Sequence, residues 1–258
     1  MNTMDSAPDL DESAGMDTAH ATSLTHRSSS SHDIARMAEV NALAPIQLER
    51  RRLIHRDESV RRQSDAFREI RTRLLGLADG RNFITLLVAV SPRSGSSFVA
   101  RNLAAAFAFD DAKTSLLLDC NLRYPGQHKA LGVEPASGGL IDFLESPDGG
   151  IGRMIYQTGI PRMRLIPAGK ARENGGEYFS STAMRAALDT LRSRYPDRYI
   201  FLDGPAIKGS PDARILSDLA DFVVVVAGYG RDAPKAISQA AAGFDPDKFA
   251  GVVFNHAP

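Results

Sequence analysis

Three short stretches carry side chains able to handle a phosphorylated ligand. Ser91-Pro92-Arg93-Ser94-Gly95-Ser96-Ser97 is a run of small and polar residues between an apolar stretch and a helical one. Backbone N–H groups of such a loop, together with the N-terminus of the following helix, can cradle an anion. Asp119-Cys120-Asn121 and Asp203-Gly204-Pro205 each close an apolar stretch with a carboxylate. Two acids at neighbouring strand ends can orient Mg²⁺ and a water. Each feature alone is common; their order and spacing together are far more specific.

Other reactive side chains suggest less. The six histidines, His20, His26, His32, His55, His128 and His256, show no ligand spacing, so no zinc-type site is expected. Cys120 at a strand end reads as a buried inert thiol. Asp142 and Glu145 fall in and just after an ordinary amphipathic helix over residues 140–144 and are not assigned catalysis.

The elements that must position the three stretches alternate between two patterns. Residues 83–90, 115–119, 199–203, 222–227 and 251–255 are near-continuous apolar runs, as expected for strands buried on both faces. Between them, Val99, Leu103, Ala106 and Phe107 share a helix face. Ser181 can cap a helix whose Met184, Ala187, Leu188 and Leu191 recur at i, i+3, i+4 and i+7, with Pro196 as its stop. The alternation predicts an α/β fold, a mostly parallel sheet covered by helices on both faces. Ligands of such sheets bind beyond the carboxyl ends of the strands, where all three stretches lie.

Two segments precede this domain of residues 81–258. Residues 1–45 are rich in Ser, Asp, Ala and Thr, lack aromatics and hold no period, which predicts a disordered tail. Residues 46–80 are strongly basic, and Phe67, Ile70, Leu74 and Leu75 predict an amphipathic helix with an arginine-rich outer face. A solvated face is the simpler reading of those arginines; a contact for anionic lipid or an acidic partner is the sharper one. Residues 46–258 are expected to form one structural unit.

The 258 residues balance 31 Lys+Arg against 31 Asp+Glu. That zero net charge argues against a dedicated nucleic-acid binder. A single cysteine excludes a disulfide framework and suits a reducing cytoplasm. No apolar run approaches the roughly 20 residues of a membrane span, and residues 1–10 do not read as a secretory signal.

In this order the blocks resemble the cytoplasmic domain of bacterial tyrosine kinases (BY-kinases), relatives of the MinD/ParA-type P-loop ATPases, and above all the exopolysaccharide-associated type. The resemblance runs from about residue 46 to the C-terminus. It rests on Asp65-Ala66-Phe67-Arg68-Glu69-Ile70-Arg71, on the 91–97 loop followed by Asn102-Leu103-Ala104, and on residues 116–125. It continues through residues 138–144, 165–169 and 194–199 to Asp203-Gly204-Pro205 and residues 251–255. It implies ATP and Mg²⁺ as ligands. Gly95 would be the phosphate-loop glycine and Ser97 the Mg²⁺-binding hydroxyl. Asp119 would be the Walker A′ acid, Asp203 the Walker B acid, and Asn255 would lie near adenine. Asp65, Arg68 and Arg71 match the family's Glu-x-x-Arg-x-x-Arg oligomerisation motif, with Asp for Glu.

The departures lie in the loop. The family's phosphate-binding lysine falls on Ser96, which is short and neutral, and the MinD-type signature lysine falls on Ser91. A charge-assisted hydrogen bond contributes roughly 1.5–3 kcal/mol, and the missing lysine also stabilises charge in phosphoryl transfer. Phe98 stands where a small hydroxyl residue is usual and would crowd the phosphates unless it turns into the core. Asn121 replaces the second acid of Asp-x-Asp. Arg93, inside the loop, could swing toward a phosphate, but its planar fork is not equivalent to a lysine point charge, and an exposed loop arginine is the simpler reading. No tyrosine follows Tyr229 in this sequence, so a tyrosine-rich tail of the kind phosphorylated in such kinases is not expected.

The resulting expectation is an impaired, pseudokinase-like regulator or scaffold of exopolysaccharide or capsule synthesis. It would form a homo-oligomer and work with a membrane polysaccharide co-polymerase, cytoplasmic and peripheral at the inner membrane through that partner. The alternatives are an active Mg-ATP-dependent tyrosine kinase or ATPase, with Asp119 and Asp203 catalytic and Arg93 assisting, and a ParA-type positioning ATPase.

Overall fold

β1 (Ile84–Ala89), β2 (Thr114–Asp119), β5 (Arg198–Asp203) and β6 (Phe222–Gly228) are apolar along almost their whole length, and only a two-faced core can bury such runs. A computed structural model of the protein describes residues 42–256. Among them a seven-stranded sheet runs in the order β3-β4-β2-β5-β1-β6-β7, with β3 (Tyr156–Gln157), β4 (Met163–Ile166) and β7 (Phe249–Asn255) completing it. All pairings are parallel except β3 with β4. The five predicted strands are present within two residues of their expected ends. β3 and β4 were not predicted, because two to four residues are too short to show a period.

Alternate residues of β1 supply opposite cores. Leu86 and Val88 face one; Leu87 faces the other. On the first side lie α5 (Leu140–Glu145), α6 (Gly176–Ser180), α7 (Thr182–Ser193), α8 (Asp212–Asp218) and α9 (Pro234–Ala241). Ser181 caps α7 as its sequence suggests, accepting from the Met184 N–H at 3.1 Å. On the second side lie α2 (Arg61–Leu77), α3 (Ser96–Ala108) and α4 (Gln127–Leu131). Edge-on rings of Phe83, Phe107, Tyr199 and Phe222 close the bottom of that core, with Phe83–Tyr199 centroids 4.9 Å apart.

The basic segment is not one helix. α1 (Pro45–Arg50) ends where Arg52 adopts φ 54°, and Leu53, Ile54 and His55 then run buried along α3 before α2 begins. Asn102 on α3 holds this turn by accepting from the Ile54 N–H at 2.8 Å and donating to the Arg52 carbonyl at 3.1 Å. α2 buries Phe67 and Leu74 against α3, as its spacing predicts. The expected tail over residues 1–45 lies, up to residue 41, outside the described residues; Leu43 donates its N–H to the Gly159 carbonyl at 2.8 Å. No helix among the described residues is long and apolar enough to cross a membrane.

Candidate nucleotide and metal site

β5 lies between β2 and β1, and this order brings the three chemical stretches together. In the parallel register Asp119 pairs with Asp203, and Asp203 also pairs with Leu87, just before β1 enters the 91–97 loop. Both acids are fully buried at the carboxyl ends of their strands.

The loop ends at Gly95, whose φ of 95° is left-handed and favours glycine. A Cβ there would also overlap the Asn255 amide. Asn255 Nδ2 donates to the Ser94 carbonyl at 3.0 Å, so the residue expected near adenine braces the phosphate loop. The other side of the loop is held by residues the sequence did not single out. Asp232 accepts from the hydroxyls of Ser91 and Ser94, the latter at 2.7 Å, and from the Gly228 N–H at 2.7 Å. Arg231 donates to the Arg93 carbonyl at 2.9 Å. Arg93 itself is exposed, with φ 70°.

Ser96 is buried as the first residue of α3, and Ser97 follows it. One turn on, Arg101 donates to the Ser97 carbonyl at 3.1 Å and lies over the Phe98 ring, 5.4 Å from its centroid. Burial lowers the Arg101 pKa; the nearby Asp203 charge partly opposes this. The Phe98 side chain leans toward α2. Its ring packs 6.2 Å from Phe67 of α2, so the expected crowding does not occur. A cleft of about 950 Å³ opens there, walled by Phe67, Ile70 and Phe98, and continuous with Gly95 and Asn255.

Asp119 is surrounded by backbone donors: the N–H groups of Gly126 and Gln127, each 2.9 Å from Oδ2, and that of Asn121, 3.3 Å from Oδ1. Burial raises its pKa, and these three bonds pull it back. Asp203 is raised further, by burial and then by the charge of Asp119; Gln127, Ser97 and Arg101 oppose the shift. Gln127 Nε2 donates to Asp203 Oδ2 at 2.6 Å. Asp203 Oδ1 is buried without a hydrogen-bond partner. A hydroxyl and two carboxylates suit Mg²⁺, a hard cation that prefers oxygen. The orphaned Oδ1 fits that use. Among the described residues no three His, Cys, Asp or Glu side chains cluster, so Ser97 would have to complete the set.

Of the predicted oligomerisation residues, Asp65 and Arg68 are exposed on α2 and pair with each other at 2.8 Å. Arg71 turns inward and donates to the Ala106 carbonyl of α3 at 2.9 Å. Cys120 is fully buried, and burial, followed by the charges of Asp119 and Asp203, pushes its thiol pKa well up.

Sequence reasoning missed Gln127, Asp232 and Arg231. Gln127 follows the Pro125-Gly126 turn that folds the chain back onto Asp119, and this turn was the available signal. Asp232 resembles a helix cap two residues before Pro234, and only the fold shows it reaching the loop.

No family model matches the chain. It is 31% identical over 194 residues to the tyrosine-protein kinase Wzc of Salmonella typhimurium, covering 74% of this chain and 26% of that protein. It is 28% identical over 163 residues to the succinoglycan biosynthesis transport protein ExoP of Rhizobium meliloti, covering 60% of this chain and 20% of that protein. The chain thus spans about a quarter or less of these relatives. Among solved structures, the BceF tyrosine kinase domain superposes with a TM-score of 0.65 at 25% identity, covering 76% of this chain and 78% of that one. The cell-division ATPase MinD of Pyrococcus furiosus shares the fold alone, with a TM-score of 0.55 at 19% identity over 68% of this chain and 70% of that one. The chain belongs to the family of bacterial tyrosine kinases and carries the fold of their kinase domains.

Proposed function

We propose that the chain serves exopolysaccharide or capsule synthesis as a catalytically impaired regulator or scaffold. It would act beside a membrane polysaccharide co-polymerase and at the membrane through that partner. The observation that carries this reading is Ser96, buried and neutral at the first position of α3. The adjoining positions add only neutral hydroxyls, at Ser94 and Ser97, and the side chains leaning on the loop are Asp232, Asn255 and Arg231, the last of which donates to the Arg93 and Pro92 carbonyls. Arg93 engages the structure through its carbonyl, so its guanidinium is not fixed by that contact. ATP–Mg²⁺ would be held by the Gly95 loop backbone, with Ser97, Asp119 and Asp203 around the metal. A bound Mg²⁺ would neutralise phosphate charge. This chain's own contribution would be backbone N–H donors and two oriented acids, without the ammonium that grips the terminal phosphate.

A second reading, an active kinase or ATPase, is favoured by the Asp119–Asp203 pairing, which keeps both acids side by side. Calorimetric titration of ATP with and without Mg²⁺, together with a phosphate-release assay, separates the two. Weak binding, and release equal to that of Asp119→Ala, supports the impaired reading. Tight Mg²⁺-dependent binding with hydrolysis abolished by Asp119→Ala overturns it.

A further inference from the structure

Gln127 stands between the two acids, 1% exposed. Its Nε2 donates to Asp203 Oδ2 at 2.6 Å and to the Ser97 carbonyl at 2.9 Å. Its backbone N–H donates to Asp119 Oδ2 at 2.9 Å. One residue therefore bridges every element assigned to the metal. An N–H aimed at a carboxylate does in weaker form what a cation does there. Two buried atoms at the same place lack hydrogen-bond partners, Gln127 Oε1 and Asp203 Oδ1. Most buried polar atoms are paired, so two unpaired oxygens beside the acids single this position out.

We propose that the Gln127 side chain is a built-in substitute for the divalent cation. It bridges Asp203 Oδ2 to the Ser97 turn while its backbone holds Asp119, and it competes with a metal for that oxygen. The inference rests on reading these acids as Mg²⁺ ligands. Buried carboxylates at adjacent strand ends repel one another unless something between them donates. A neutral amide donates without supplying charge, so the fold can keep both acids without metal. The same contacts compete with a metal, because a cation held by Asp203 Oδ2 must displace the 2.6 Å bond, whereas Oδ1 carries no such competitor.

The test uses Mn²⁺ alone, with no nucleotide, on the full chain. Calorimetry and thermal unfolding compare wild type with Gln127→Leu and Gln127→Glu. Gln127→Leu removes the competing donor and is expected to bind Mn²⁺ at least tenfold tighter than wild type. Gln127→Glu adds a third acid; it should melt lower in EDTA and recover with Mn²⁺. Adding Asp203→Asn to Gln127→Leu should abolish the gain. If neither variant binds Mn²⁺ more tightly than wild type, or if both stay unfolded with Mn²⁺ present, the proposal is wrong. Tight ATP binding by wild type would overturn the impaired-enzyme reading and leave this Mn²⁺ result standing.

Discussion

Ser96 and Asp203 set the chemistry at the residue scale. Restoring the ammonium with Ser96→Lys should tighten ATP binding by about 10- to 100-fold, the worth of one charge-assisted hydrogen bond. Phe98 no longer stands against that rescue, because it packs on Phe67. Turnover should recover less than affinity, since Asn121 and Gln127 leave the metal position altered; calorimetry beside single-turnover kinetics reads the difference. The two acids also give the metal-free fold a pH dependence of definite sign. Their pKa values are raised in the fold, by burial first, above the roughly 4 of an exposed aspartate. The native state therefore binds more protons than the unfolded one between that value and the raised ones. Stability is greatest below the window and falls as pH rises through it. Urea midpoints in EDTA should fall from pH 5 to pH 8, and Asp203→Asn should flatten the slope. A midpoint rising with pH over that range would contradict the assignment.

The loop and α2 matter at the element scale. Asp232 fastens the 91–97 loop to the turn after β6 through the Ser91 and Ser94 hydroxyls. Asp232→Ala should cost about 1–3 kcal/mol and speed amide hydrogen exchange across residues 91–95. Stability unchanged within error would show that Asn255 and Arg231 suffice to brace the loop. α2 depends on its apolar face. Phe67 is 5% exposed against α3 and Phe98, so Phe67→Ala should cost about 3–5 kcal/mol in denaturant unfolding. The helix was legible because Phe67, Ile70 and Leu74 keep a helical period. The turn before it was not, because the Asn102 amide holds it from 48 or more residues away in the chain.

The parallel sheet and the outer face of α2 define the whole molecule. Exposed ion pairs such as Asp65–Arg68 add little to folding, typically 0–1 kcal/mol. That leaves the pair available to a second copy of the chain, the role its resemblance to the oligomerisation motif suggests. Replacing both with alanine should leave thermal stability nearly unchanged and shift the protein to a smaller species in light scattering. Arg71 should behave differently, because it holds the Ala106 carbonyl within its own chain; Arg71→Ala should lower stability as well. An unchanged mass for the Asp65/Arg68 double variant would remove these two residues from any assembly surface.

Short-range chemistry was written in the sequence. Apolar runs that need two cores gave the α/β class, small residues marked the 91–97 loop, and strand-terminal acids marked Asp119 and Asp203. Their local neighbours dictate each of these. Strand order and side-chain reach decided the rest. Asp119 meets Asp203 only because β5 enters between β2 and β1, and their 84-residue separation carries no trace of that contact. The amide of Gln127, the carboxylate of Asp232 and the inward turn of Phe98 depend on which surfaces the packed helices bring together. A single side chain's orientation in a core is fixed by its neighbours in space, and periodicity along the chain does not name them.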